Sequence, residues 1–159
     1  MKVKIICLGK LKEKYLKDAI DEYSKRLSRF CNFEITELAD EKIPDNASDA
    51  QEQKVLETEA SKIMKYIGDD DYVISLCIEG KQLSSEQFAQ KIAGVTLSGK
   101  STVCFIIGGS LGLDSSVKIR SDFKLSFSPM TFPHQLMRVI LTEQIYRCFK
   151  INANEKYHK

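Results

Sequence analysis

The sequence predicts an α/β fold built on a mainly parallel sheet with helices on both faces. Two observations carry that reading. Segments of strand period and segments of helix period take turns along the 159 residues, and the runs VKIICL, YVISLCI and TVCFII are apolar almost without interruption, as strands covered on both sides are. No linker, repeat or low-complexity segment divides the chain, so residues 1–159 are read as one domain.

The elements follow in order. VKIICL opens the chain as a short strand, and KEKYLKDAIDEYSKRLSRF then repeats apolar residues at Tyr15, Ala19, Tyr23, Leu27 and Phe30, the face of a helix. NFEITEL is a weaker strand of edge character. After the turn-like IPDN, Ser48 and Gln51 have capping-box spacing, and the helix they open runs through Val55, Ala60, Ile63 and Ile67 to Gly68. YVISLCI is a buried strand, followed by a loop at EGK. Ser84 and Gln87 repeat the capping box for a helix carrying Phe88, Ile92 and Leu97, closed by Gly99. TVCFII runs into GGSLGL, a short helical turn follows around SSVKIRSD, and FKLSF is the last strand.

The chain ends in a long helix, HQLMRVILTEQIYRCF, and the polar tail NANEKYHK. That helix is apolar on more than one side. Met137, Ile140, Leu141, Ile145 and Cys148 make one stripe, Leu136, Val139, Tyr146 and Phe149 another, and Arg138, Thr142, Glu143 and Arg147 are left for the polar remainder. A helix this broadly apolar is expected to be covered by its own domain on one side and by a second copy on the other, which predicts a homodimer.

Composition excludes several classes. Hydrophobic residues are 43% and charged residues 29%, and the net charge of +2 is too small to announce a nucleic-acid binder by itself. No run approaches the ~18 apolar residues of a membrane helix, and MKVKIICLGK recharges too soon for a signal peptide, so a cytoplasmic protein with no membrane association is expected. The five cysteines form no CxxC or Cys/His cluster. Reduced core thiols and no metal site are the reading.

In sheets of this kind ligands sit beyond the carboxyl ends of the strands. Three loops lie there: EGK, GGSLG and SPMTFP. GGSLG is neither GxGxxG nor a Walker loop, and it is either a tight turn or a place where backbone approaches a ligand. SPMTFP is the less ordinary loop. It carries two prolines but no Gly, Asn or Asp, and Pro133 suits the first turn of the helix that follows. Met130 and Phe132 either pack beneath this stiff loop or form an apolar wall for a flat ligand.

GGSLGL, the run SFSPMTFPHQLMRVILTEQIYRCFKI, the terminal YHK and the early LGKLKEKYLKDAIDEYSKRL together resemble the RlmH family of SPOUT-class ribosomal RNA methyltransferases, over essentially the whole chain. The resemblance implies a homodimeric enzyme that uses S-adenosyl-L-methionine to methylate N3 of a pseudouridine in 23S rRNA on the assembled ribosome. It also implies a trefoil knot in the C-terminal part, which no local pattern discloses because true knots are nearly absent among folds. By position it places the cofactor on Leu76, Gly108, Phe127, Ser128, Pro129, Met130, Thr131 and Phe132. It makes Arg147, Tyr157 and His158 the catalytic candidates, and His134 a residue that orients the loop. One departure is visible at Lys156, where many such chains have Pro. Lys10, Lys12, Lys14 and Lys17 are candidates for RNA contact or, equally, a solvated helix face. The rival classes are a nucleotide-binding module and a non-enzymatic ribosome-associated RNA-binding factor.

Overall fold

Five strands form one sheet in the order β2-β1-β4-β3-β5, and every neighbouring pair is parallel. The computed structural model describes residues 1–158. The strands are β1 (Lys2–Leu8), β2 (Asn32–Leu38), β3 (Tyr72–Gln82), β4 (Thr102–Ile107) and β5 (Phe123–Ser126), and the helices are α1 (Lys14–Leu27), α2 (Asp49–Met64), α3 (Ser85–Leu97), α4 (Ser115–Arg120) and α5 (His134–Asn152). The mainly parallel α/β architecture expected from the alternation is the one observed.

Strand alternation sorts the core into two layers. Val3, Ile5 and Cys7 of β1 and Val103, Phe105 and Ile107 of β4 face α1, α3 and α5. Ile6, Leu8, Cys104 and Ile106 face the opposite way, against Ala60 and Ile63 of α2 and Val117 of α4. Both central strands are therefore buried on both sides from Ile5 and Val103 onward, which is why those stretches carry no polar alternation, while Lys2 and Lys4 at the start of β1 stay partly exposed in ion pairs. β2 lies at an edge, in keeping with its mixed composition.

Both predicted capping boxes are present. Ser48 and Ser84 accept from the backbone N–H of Gln51 and Gln87 at 3.2 Å, and the two glutamine side chains accept in return from Ser48 and Ser84 at 2.8 and 2.9 Å. Gly99 closes α3 in the left-handed region at φ +87°, a conformation that costs a glycine little.

Several expectations are corrected. The buried face of α1 is Leu16, Ile20 and Leu27, with Tyr23 partly buried, and Tyr15 stands 69% exposed because it lies one position off that face. Leu97, at the end of α3, is 89% exposed, and Ala89 and Val95 take its expected place in the core. α2 ends at Met64 rather than continuing to Ile67, where turn hydrogen bonds to Ile63 and Met64 take over. Pro133 is the N-cap, one position before the helix starts. EGK is part of β3: the strand's register with β5 slips between Leu76 and Lys81, and it then pairs again at Lys81 and Gln82. Gly80 makes that return possible, since a Cβ there would lie 2.7 Å from the Leu125 carbonyl carbon.

The largest correction is on α5. Arg138 and Thr142 are fully buried, Arg138 at 0% exposure. The Arg138 guanidinium meets Glu37 Oε2 at 2.6 Å and donates to the carbonyl oxygens of Leu8 and Gly9 at 3.1 and 3.0 Å. Thr142 donates back to the Arg138 carbonyl at 2.7 Å, so its hydroxyl is satisfied inside the helix. Among the described residues no helix is long and apolar enough to cross a membrane.

Candidate active site

The carboxyl ends of β3, β4 and β5 open into a cleft of about 390 Å³, within the range of small-molecule sites. β3 contributes Leu76 to Glu79, β4 ends in Ile107 and Gly108, and β5 leads into Phe127. Of the eight cofactor residues expected, Leu76, Gly108, Phe127, Ser128, Met130, Thr131 and Phe132 line this space. Pro129 sits between two of them but is not part of the wall.

The SPMTFP loop is held by its own side chains. Ser128 Oγ accepts from Met130 N at 2.9 Å, and Ser126 Oγ donates to the Ser128 carbonyl at 3.2 Å. Such local bonds, added to two prolines, leave the loop few conformations to lose on binding a ligand. Met130 is 75% exposed and Phe132 is also exposed, so these side chains wall the cleft and do not pack beneath the loop.

GGSLG is both a tight turn and a cleft wall. Gly112 N donates to the Gly109 carbonyl at 3.0 Å, and Gly112 has φ +82°. Gly108 is required for a reason the sequence did not disclose. A Cβ there would sit 2.6 Å from the carbonyl carbon of Gly112 and closer still to its oxygen, so the glycine makes room for the turn's own backbone. The turn does not open a helix, since α4 begins at Ser115 behind its Asp114 cap. This is not the geometry of a phosphate cradle.

Charge in the cleft is sparse. Its lysine, Lys118, is already paired with Glu79, which holds the Glu79 carboxyl below the usual range. An apolar wall with no uncommitted cation among the described residues suits a neutral or cationic ligand better than a phosphorylated one.

The three catalytic candidates come together elsewhere. Arg147 of α5 donates to Glu143 Oε1 through Nη2 at 2.6 Å and Nε at 3.1 Å, and Tyr157 donates its hydroxyl to the same oxygen at 3.0 Å. The guanidinium lies 4.7 Å from the Tyr157 ring centroid, and that ring meets Tyr146 edge-on at 4.9 Å. Arg147 Nη1 is 3.1 Å from His158 Nδ1, and His158 Nε2 is 2.6 Å from Glu86 Oε1. Arg147 can only donate, so Nδ1 carries the ring's lone pair and Nε2 carries the proton toward Glu86. The tail is thus folded onto α5 and α3, with a bridge between Lys156 and His158, and the lysine at 156 does not prevent that. Lys159, the last residue of the YHK ending, lies outside the described residues.

The environment fixes protonation here. The Glu143 carboxylate raises the pKa of Arg147, keeping it cationic, and burial, then the Glu143 hydrogen bond, raises that of Tyr157, keeping it a phenol. Glu86, bonded to its own backbone N–H and to His158, is drawn down to about 2. Glu86 was missed from the sequence, whereas the Arg147–Glu143 pair was legible as an i, i+4 ion pair. Glu143 stands four residues before Arg147, the one local cue, whereas Glu86 is remote from the tail in the chain.

Cleft and tail cluster are apart on one chain. The cleft's last contact on α5 is Met137, ten residues before Arg147, or roughly 15 Å along a helix. None of Arg147, Tyr157 and His158 lines the cleft of its own subunit.

Comparison with known proteins adds to this geometry. Residues 1–158 match a family described as "Predicted SPOUT methyltransferase". Proteins named ribosomal RNA large subunit methyltransferase H are 61% identical in Streptococcus pyogenes serotype M5 (strain Manfredo) and 60% identical in serotype M18 (strain MGAS8232), each over the whole of both chains. A solved structure titled as "a probable methylase family protein" from Haemophilus influenzae Rd KW20 superposes with a TM-score of 0.52 at 13% identity, over 99% of this chain and 70% of that one, a likeness of fold.

Proposed function

The chain belongs to the SPOUT methyltransferase family, and from that premise we propose that it transfers a methyl group from S-adenosyl-L-methionine to N3 of a pseudouridine in 23S rRNA on the assembled ribosome. The observation that carries this reading is the cleft at the ends of β3, β4 and β5. A stiff apolar loop and a glycine turn converge there without a free cation. The C-terminal trefoil knot, the one-domain organisation and a cytoplasmic location belong to the same reading.

Bound there, the cofactor supplies an electrophilic methyl group. Phe127, Met130, Phe132 and Leu76 would give the cofactor apolar walls, and the lining residues Gly108, Ser128 and Thr131 would bring backbone polar groups to its adenine. Holding the reactants in near-attack geometry can supply about 7–11 kcal/mol of the barrier. The remaining need is to take the proton from N3 and stabilise the imide anion that develops. Arg147, a cation that Glu143 orients and whose Nη1 faces away from that carboxylate, answers the second requirement, and the lone pair on His158 Nδ1 answers the first once the tail turns from Arg147 to the nucleotide. Tyr157 supplies a neutral donor.

Because these groups do not reach the cleft of their own chain, the complete site is assembled from two copies, the tail of one over the cleft of the other. Sedimentation at micromolar concentration is expected to give twice the 18.1 kDa chain mass. The functional reading is tested with radiolabelled S-adenosyl-L-methionine on intact ribosomes, isolated subunits and free rRNA. Label in 23S rRNA is expected from intact ribosomes alone, and absence of label from all three overturns the reading.

A further inference from the structure

The first loop of the molecule is built around an expensive group. Burying a guanidinium costs several kcal/mol unless its donors are met. Arg138 spends that burial on the end of β1: it holds the carbonyls of Leu8 and Gly9 and the carboxylate of Glu37, and Glu37 Oε2 also accepts from Leu11 N at 2.8 Å. Gln135, one turn earlier on α5, accepts from Lys12 N at 3.1 Å. The start of α5 therefore fixes the loop directly at Gly9 and Lys12, and Glu37 of β2, held by Arg138, fixes it at Leu11 between them. The same turn of α5 carries His134 and Met137 into the cleft, and His134 lies within 4 Å of where a Cβ on Gly9 would be.

What the clamped loop displays is specific in chemistry. Gly9 to Lys17 holds four lysines and one glutamate, all five exposed, with Tyr15 exposed among them. Lys14 is paired with Asp18, which leaves Lys10, Lys12 and Lys17 with no carboxylate partner among the described residues. Lysines interleaved with an exposed aromatic ring match a polyanion that also offers flat faces: phosphates for the ammonium groups and an unstacked base for the ring.

We propose that Lys10, Lys12, Tyr15 and Lys17 form an rRNA-docking surface, and that Arg138 is a positioning residue that holds this surface in register with the cofactor cleft. The proposal rests on the functional reading above and assigns it a substrate contact outside the cleft.

The test is steady-state methylation of intact ribosomes by Lys10→Glu/Lys12→Glu, Tyr15→Ala and Arg138→Lys, with melting curves and calorimetric affinity for S-adenosyl-L-methionine measured alongside. The double variant is expected to raise KM for ribosomes at least about tenfold, with turnover at saturation and cofactor affinity unchanged, and to flatten the dependence of KM on salt. Tyr15→Ala is expected to raise KM about fivefold or more with little salt dependence. Arg138→Lys loosens the loop and raises KM without moving cofactor affinity. Should it fail to fold, Gln135→Ala removes a single clamp and is expected to raise KM about threefold. A wild type that methylates ribosomes beside a folded double variant of unchanged KM overturns the proposal alone. A wild type that labels no rRNA overturns the functional reading and the proposal with it.

Discussion

The two ends of α5 solve different problems with different materials. At its start lies a cleft built from backbone turns and apolar walls, with its lysine already neutralised by Glu79. Toward its end Glu143, Arg147, Tyr157, His158 and Glu86 form one connected network of titratable groups. The first region is shaped to hold a ligand and offers little to move a proton. The second can move a proton and has no cavity. Binding and chemistry are thus separable on one chain, and in the proposed two-copy site the tail of one copy brings them together over the cleft of the other.

The sharpest way to break that contrast is at Gly108. Gly108→Val forces a branched side chain into the carbonyl of Gly112, which collapses the turn and is expected to reduce S-adenosyl-L-methionine affinity by more than about a hundredfold, a ~2.7 kcal/mol effect. Gly109→Ala is the control, since its Cβ meets nothing closer than 3.6 Å. Titration calorimetry on folded variants checks both, and equal affinities for the two would remove the turn from the site.

Next in size is the tail. A chain ending at Lys156 loses the Tyr157 and His158 contacts, yet keeps the cleft residues and the buried stripe of α5. It is expected to bind cofactor normally and to turn over at least about tenfold more slowly, or ~1.4 kcal/mol of transition-state stabilisation. Full turnover by the truncated enzyme would make the tail an ordinary chain end.

A smaller effect is expected at Glu86. Glu86→Gln keeps the shape but removes the charge that orients His158, and turnover is expected to fall about threefold with cofactor affinity unchanged. Its pH profile carries a further check. The folded pKa of Glu86 is depressed to about 2, so the contact is present above the ordinary carboxylate range and is lost as pH falls toward 2. Across neutral pH the Glu86 carboxylate is therefore expected to stay ionised and the contact to persist.

The smallest expected effect is none. Among the described residues no group of three or more His, Cys, Asp or Glu side chains is placed to hold a metal. Enzyme treated with EDTA and desalted before it meets intact ribosomes is expected to keep full turnover. A loss that a divalent ion restores would require a further component at the tail or the cleft.

Much of this architecture is written in local pattern. Capping boxes at Ser48 and Ser84, the continuous apolar runs of β1 and β4, and the stiffness of SPMTFP depend on neighbours in sequence, and each is found where pattern places it. What pattern misplaced depends on distant partners. Arg138 reads only as part of the polar remainder of α5 until β1, 130 residues earlier, supplies carbonyls for it. Gly80 and Gly108 are glycines because other backbone passes beside them. Tyr15 has helical spacing with Ala19 and Tyr23, but the buried face of α1 lies one residue further along, at Leu16 and Ile20. The family resemblance named the candidate site residues, whereas their division between two ends of one helix required coordinates.

Arg138 also sets when this molecule can exist during synthesis. The clamp on the first loop comes from a residue near the end of the chain, and α5 further supplies Met137, Leu141, Ile145, Tyr146 and Cys148 to the layer over β1 and β4. A nascent chain that has released its first four strands has α1 and α3 to lay on that side of the sheet but lacks the share that α5 covers, and its parallel pairings close only through long loops. Folding is therefore expected to complete only once α5 has left the exit tunnel. A stalled chain truncated before His134 should be protease-sensitive throughout, and the full-length chain released from the same ribosome should not.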